Sequence, residues 1–132
     1  MNDLAQIKVA ARKAGFARRK VAFGEQSGGA AGHLSALLAG YRGVPMSGYM
    51  PIRTEIDPLP TMAEAAAYGH VGVPVIVEMD HPLLFSRWEP DAEMKDGPFG
   101  ARIPVLDDFF EPEIVIVPLV AFDRDGGRLG YG

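Results

Sequence analysis

The sequence predicts a layered α/β domain, on three observations. Two β-branched runs, VGVPVIVEM at 71–79 and EIVIVPLVAF at 113–122, show little polar alternation, which suits strands buried on both faces of a sheet. Apolar residues near the N-terminus and again between 33 and 41 recur at three- and four-residue intervals, the period of helices with one buried stripe. The 132 residues, 48% of them hydrophobic, are enough for one core and too few for two ordinary domains. Helices interleaved with such strands make a sheet covered by helices.

The first helix is expected from Asn2 to about Ala22, with Leu4, Ile7, Ala11 and Ala14 as its apolar stripe and Asn2 or Asp3 as its cap. Gly15 weakens its middle by roughly 1 kcal/mol relative to alanine, so a bend or a close contact is expected there. GEQSGGAAG, residues 24–32, reads as a loop. A second helix follows from about His33 to Tyr41, with Leu34, Leu37, Leu38 and Tyr41 as its stripe and Gly43 as its stop. SGYMPI, residues 47–52, suits a short strand that projects Arg53, Thr54 and Glu55 into a cleft. Thr61 and Glu64 form a capping box for a helix from Met62 to Tyr68, closed by Gly69. Between the two β-branched runs, 82–88 is expected to be an outer strand or hairpin and 89–104 a long excursion rich in proline and glycine. The last run leads into AFDRDGGRLGYG, and in open α/β sheets a glycine-rich loop beyond a strand normally enters a helix, so a further C-terminal piece is expected.

Composition removes several function classes. The formal net charge is −4 and basic residues are interspersed with acidic ones, so no basic field collects nucleic-acid phosphates. No apolar run approaches the ~20 residues that cross a bilayer, and the N-terminus lacks a signal-peptide pattern, which predicts a soluble, cytoplasmic protein. The absence of cysteine removes thiolate nucleophiles and zinc–thiolate sites. His33, His70 and His81 share no ligand spacing, so any metal would be a hard cation on oxygen ligands.

Several constellations remain, each with a bland reading beside it. Glycine in the run from Gly126 to Gly132 lets backbone amides wrap phosphate oxygens, and Arg128 in its midst favours an anion; a plain tail fits the spacing equally well. Asp123 and Asp125 beside Gly126 look like the start of a calcium loop, but the later ligands are absent and a solvated turn is the better reading. Lys8 and Arg12, four apart, project from one helix face and could straddle a polyphosphate, or simply be solvated, as could Arg18, Arg19 and Lys20. Glu55 and Asp57 could accept hydrogen bonds from a pterin, or belong to a turn. Tyr49, Met50, Phe85, Trp88 and Phe99 could flank a flat heterocycle, or be core.

Taken as an ordered set, Lys8-x-x-x-Arg12, GYMPIRTEIDP at 48–58, GVPVIVEMDHPLLFSRWEP at 72–90, GPFG at 97–100 and IVIVPLVAFDRDGGRLGYG at 114–132 resemble the 5-formyltetrahydrofolate cyclo-ligase (methenyltetrahydrofolate synthetase) family. The resemblance implies a three-layer α/β sandwich with a mostly parallel central sheet, of the type shared with ribose-phosphate isomerase and CoA-transferase domains. Residues 1–132 would form a single domain of this kind, incomplete at its C-terminus. It implies ATP and Mg²⁺ as cofactors and 5-formyltetrahydrofolate, with one glutamate or several, as substrate. ATP phosphates would be held by Lys8, Arg12, Gly127, Arg128, Leu129, Gly130, Tyr131 and Gly132, and the folate would lie against Tyr49, Met50, Glu55 and Trp88. ATP would phosphorylate the formyl oxygen, and attack of N10 on the activated carbon with loss of phosphate would close the methenyl ring. Such chemistry asks for alignment and charge neutralisation, without a protein nucleophile.

Two departures from the family pattern qualify this expectation. The family's glycine loop usually continues as Gly-Gly-Tyr-Tyr-Asp or Gly-Gly-Phe-Tyr-Asp, so its metal-binding aspartate would lie beyond Gly132 and the chain alone is expected to be inactive. The GxxEP turn reads Gly100-Ala101-Arg102-Ile103-Pro104, with isoleucine where glutamate is common. Two other readings stand alongside: a folate- or nucleotide-binding module without turnover, and a phospho-sugar or CoA-ester enzyme of the same broad fold. The second lacks a plausible general base opposite the glycine loop.

Overall fold

The computed structural model describes residues 3–25, 30–98 and 100–130. Helix α1 spans Asp3–Glu25, and α2 spans Ala30–Leu38 and runs into a 3₁₀ turn at Ala39–Tyr41. Strand β1 is Met46–Ser47, α3 is Leu59–Ala66, β2 is Val71–Val75 and β3 is Leu84–Arg87. Strands β4 (Met94–Asp96) and β5 (Arg102–Pro104) form a hairpin inside the predicted excursion. Strand β6 is Ile114–Val115, and β7 (Ala121–Phe122) and β8 (Arg128–Leu129) make a second hairpin.

The central sheet has the order β3-β2-β1-β6, with β1 parallel to both β2 and β6 and β3 antiparallel at one edge. The chain therefore builds outward from β1 through α3, β2 and β3, then returns to the other side of β1 as β6. That reversal at β1 is a topological switch point, the place in open α/β sheets where loops beyond the carboxyl ends of neighbouring strands diverge and leave a crevice.

The core is a cluster of Met46, Met62, Val71, Val73 and Trp88, with Leu38, Leu59, Met94 and Ile114 packed around it. Met62 from α3 is 0% exposed, so the helix is fixed to the sheet by a side chain that makes no contact with water. Two hydroxyls buried with this core are satisfied. Ser47 donates to the carbonyls of Gly48 and Gly72 at 2.9 and 3.1 Å, and Thr61 donates to the Ala31 carbonyl at 2.9 Å while meeting Ser35 at 2.8 Å, which ties α3 to α2.

Several elements differ from expectation for identifiable reasons. Helix α3 starts at Leu59, earlier than Met62, because Pro60 supplies the preset φ of a first turn and Asp57 accepts the Leu59 amide at 2.9 Å; Thr61 is thereby inside the helix and spends its hydroxyl on α2 instead of capping. Helix α2 begins at Ala30 and tightens into the 3₁₀ turn before Gly43, which stands at φ +87°. Leu34 and Leu38 are half-buried, whereas Leu37 and Tyr41 are exposed. The run at 113–122 gives only two short strands with exposed Val115 and Val117, because β6 is an edge strand and not an interior one. Residues 24–25 and 30–32 of the expected glycine loop belong to α1 and α2, because the helices run further into it than its glycines suggested. The proposed cap Asn2, residues 26–29, Phe99, Tyr131 and Gly132 lie outside the described residues.

Helix α1 departs furthest. Its Leu4 and Ile7 are both 63% exposed, so the predicted apolar stripe does not face the protein. The face turned inward carries Arg12, Gly15, Phe16 and Arg19, about a third of a turn away, and Gly15 is the one buried residue of the helix. A Cβ at Gly15 would stand 2.8 Å from Cγ1 of Val120, the residue that enters β7. The glycine is there for close approach: it lets the helix backbone rest on the terminal hairpin.

Candidate functional site

Two loops leave the carboxyl ends of the parallel neighbours β1 and β6; Tyr49, Met50 and Glu55 lie on the first and the glycine run follows the second, whereas Lys8 and Arg12 lie on α1 and Trp88 follows β3. The first, residues 48–58, is closed upon itself. Glu55 donates its amide to the Ile52 carbonyl at 3.2 Å and accepts the Ile52 amide on Oε1 at 2.7 Å, and the Tyr49 hydroxyl donates to the Ile56 carbonyl at 2.6 Å. These bonds hold Arg53 at φ +57°, in the left-handed region that costs a non-glycine residue free energy.

The predicted folate contacts divide, three of them on this loop and Trp88 beyond β3. Met50 is half-buried, packed partly against the core. Glu55 is half-buried and has one backbone donor, and a carboxylate with about four acceptor sites retains capacity for more. Tyr49 is 8% exposed with its hydroxyl committed to the loop, so it serves the loop's shape. Burial, reinforced by Glu55 and Asp57 and opposed by Arg19, pushes its phenol up to about 12. Trp88 is 6% exposed and belongs to the core cluster, its amide bonded to the Val71 carbonyl at 2.7 Å. Phe85 is half-buried on β3.

The second loop runs from β6 to the β7–β8 hairpin. An open cleft of about 390 Å³ is lined by Val117, Pro118, Leu119, Arg128 and Gly130, so it joins the carboxyl end of β6 to the glycine run. The turn of the hairpin is organised by Asp123, whose Oδ1 accepts the amides of Asp125 at 2.9 Å and Gly127 at 2.8 Å, with Gly126 at φ +90°. This is the solvated turn expected for Asp123 and Asp125. It also means that the Gly127 amide is already donated, while Arg128 and Gly130 border the cleft. Leu129 is half-buried, and its carbonyl accepts the amide of Val120 at 2.9 Å, next to the Gly15 contact.

Helix α1 bridges the two loops. Lys8 is exposed and Arg12 half-buried, on the same side of the helix as Gly15. Further along that side, Arg19 Nε donates to Thr54 Oγ1 at 2.8 Å in the first loop, and its guanidinium lies over the Phe16 ring, 4.8 Å from the centroid. Sequence reasoning set Arg19 aside as a solvated cation. The signal that could have found it is the spacing 8, 12, 15, 19, which places all four residues on one helical face.

Cations and a glycine turn suit phosphate groups. For a metal the fit is poorer: among the described residues no group of three or more histidine, aspartate or glutamate side chains is placed to hold one, and the Asp123 carboxylate is engaged by its own turn. A smaller crevice of about 30 Å³ between α2 and α3, reached by Ser35, Thr61 and Tyr68, has room for neither a nucleotide nor a pterin. No helix among the described residues is long and apolar enough to cross a membrane.

No protein-family model matches the chain. Over 57 residues it is 46% identical to the 5-formyltetrahydrofolate cyclo-ligase of Haemophilus influenzae, a match that covers 39% of this chain and 30% of that protein. The chain thus spans under a third of that relative's length in the matched region. The fold is similar to the NMR structure of Aquifex aeolicus 5,10-methenyltetrahydrofolate synthetase, with a TM-score of 0.76, 24% sequence identity, and coverage of 96% of this chain and 68% of that one. The similarity to 5-formyltetrahydrofolate cyclo-ligases read from the motifs is therefore found again in sequence over 57 residues, and the predicted α/β fold is the one observed.

Proposed function

We propose that this chain carries the nucleotide and folate half-sites of an ATP-dependent cyclo-ligase that converts 5-formyltetrahydrofolate to 5,10-methenyltetrahydrofolate. The observation that carries the reading is the departure of the two motif-bearing loops from the carboxyl ends of the neighbouring parallel strands β1 and β6, with α1 touching the first loop through Arg19 and the hairpin through Gly15. A ligand crevice is expected at such a reversal of strand order. The partial identity to a cyclo-ligase over 57 residues supports the choice of chemistry.

In this reading Lys8 and Arg12 offset phosphate charge from the helix, and Arg128 with the backbone around Gly130 does so from the hairpin. ATP supplies the phosphoryl group that turns the formyl oxygen into a leaving group. Met50 packs against the pterin and Glu55 accepts hydrogen bonds from its N–H groups. Tyr49 and Trp88 act from behind, one by closing the loop and the other by supporting the strand beneath it.

The test is direct. Given ATP, magnesium ion and 5-formyltetrahydrofolate, the full-length protein should develop methenyl absorbance only when ATP is present. Lys8→Ala combined with Arg12→Ala should raise the KM for ATP by at least about tenfold, the loss of one charge-assisted contact or more. Tight folate binding by calorimetry with no ATP-dependent product would replace catalysis by simple ligand binding.

A further inference from the structure

We infer that Arg19 is a positioning residue that latches the folate-side loop to the helix bearing the phosphate-side cations. The inference deepens the proposed function and rests on it. Arg19 is half-buried, and three observations bear on its role. Its Nε donates to Thr54 Oγ1 at 2.8 Å across 35 residues of sequence. Its guanidinium is seated on the Phe16 ring one turn earlier, which leaves the planar fork little freedom to leave that position. Its charge acts on the Tyr49 phenol of the same loop, opposing those of Glu55 and Asp57.

The loop needs such a latch. Its remaining described side-chain closures, Ile52 to Glu55, Tyr49 to Ile56 and Leu59 to Asp57, are all local, so they shape the loop without fixing it relative to α1. Arg53 is held at φ +57° in the middle of this segment, beside the latched threonine, and a strained residue persists only where its surroundings over-determine it. Along α1, Arg19 lies 11 residues beyond Lys8, about 16 Å at the helical rise. Gly15, docked on Val120 of the hairpin, lies between them. One rigid element thus touches the hairpin at its middle and the folate-side loop near its end, and Arg19 makes the second contact. Reactants bound to the two loops must be aligned within a fraction of an ångström for transfer, so loosening one loop from the helix costs alignment even with every contact residue retained.

The test compares Arg19→Ala, Arg19→Lys, Thr54→Val and the double variant Arg19→Ala/Thr54→Val in the full-length protein. Calorimetry with 5-formyltetrahydrofolate and, separately, with a non-hydrolysable ATP analogue is paired with hydrogen exchange. Arg19→Ala and Thr54→Val should each weaken folate binding about tenfold and the double variant no further, because both remove one interaction. Arg19→Lys, which keeps a donor, should recover much of the loss, and affinity for the ATP analogue should stay within about twofold. The amides of Ile52 and Glu55 should exchange faster, whereas those of Gly48 and Trp88, bonded within the sheet, should not change. Unchanged exchange in the loop, or faster exchange at Gly48 and Trp88 as well, overturns the latch, since the first denies the coupling and the second makes Arg19 a general stabiliser. Unaltered folate affinity in Arg19→Ala overturns its positioning role. If the unsubstituted protein binds no folate, the functional reading fails and the positioning role with it, while exchange still reports separately whether the loop is latched.

Discussion

The two β-branched runs look alike in sequence, yet the strands they form are buried to different depths in the fold. In the first, Val71 and Val73 are 1% and 0% exposed, and β2 is flanked by β1 and β3. In the second, Val115 and Val117 are 46% and 54% exposed, β6 pairs among the described residues only with β1, and the chain soon leaves the sheet for the hairpin. What differs is the place in the sheet, because an interior strand is covered by its neighbours and by α3, whereas an edge strand near a crevice keeps part of its surface open. The run with less packing is also the run that lines the cleft. Apolar character alone therefore does not separate a strand that stabilises the fold from one that walls a site.

The contrast can be broken at the level of stability. Met62→Ala, in the dense half, should lose about 2–5 kcal/mol in chemical denaturation, the cost of an empty volume in a core that cannot collapse. Val117→Ala, at the cleft, should change stability by no more than about 0.5 kcal/mol. Equal losses from the two would mean that the open half is packed as tightly as the core.

A smaller effect is expected where α1 meets the open half. Gly15→Ala sets a gain in helix propensity of about 1 kcal/mol against overpacking of about 1–3 kcal/mol on Val120, whose branched side chain cannot swing away. The net loss should be about 1 kcal/mol. Adding Val120→Ala should restore much of it, which a change confined to the helix would not do. No recovery in the double variant would place the helix elsewhere.

An effect of similar size, with a pH dependence of its own, is expected at the junction between the halves. Tyr49→Phe removes the hydrogen bond to the Ile56 carbonyl and should cost about 1 kcal/mol at neutral pH. The phenol titrates at 10.0 in an unstructured chain and at about 12 in the fold, so its contribution is complete below pH 10.0 and is lost as pH rises towards about 12. Denaturation between these values should show the unsubstituted protein losing more stability than Tyr49→Phe. Parallel curves would mean that the phenol is not desolvated.

How much of this was legible before folding can be judged from particular residues. The interior strand at 71–75 was, since an unbroken β-branched run next to a glycine has few other uses; the outer strand at 84–87 fell where the turn residues around it left room. The stripe on α1 was not. Leu4 and Ile7 have helical spacing, yet burial follows Gly15, because an absent side chain permits a closer contact than a leucine could make. Nor was the fate of the candidates. Met50 and Glu55 sit on the loop beyond β1, and Arg128 and Gly130 border the cleft, but Trp88 went into the core and Tyr49 into a clip, since an aromatic residue reads the same whichever side of a strand is covered.

The sequence alone determined the three helices, the strand at 71–75 and their order, but neither hairpin, together with the motifs that make the chain similar to cyclo-ligases, because periodicity and turn chemistry are local properties. Only the tertiary structure decided that the order of strands reverses at β1, that α1 turns Arg12 and Arg19 inward, and that Arg19 reaches Thr54. Those depend on which surfaces meet across 35 residues or more, and the energy of such a meeting belongs to the pair and is written in neither segment by itself.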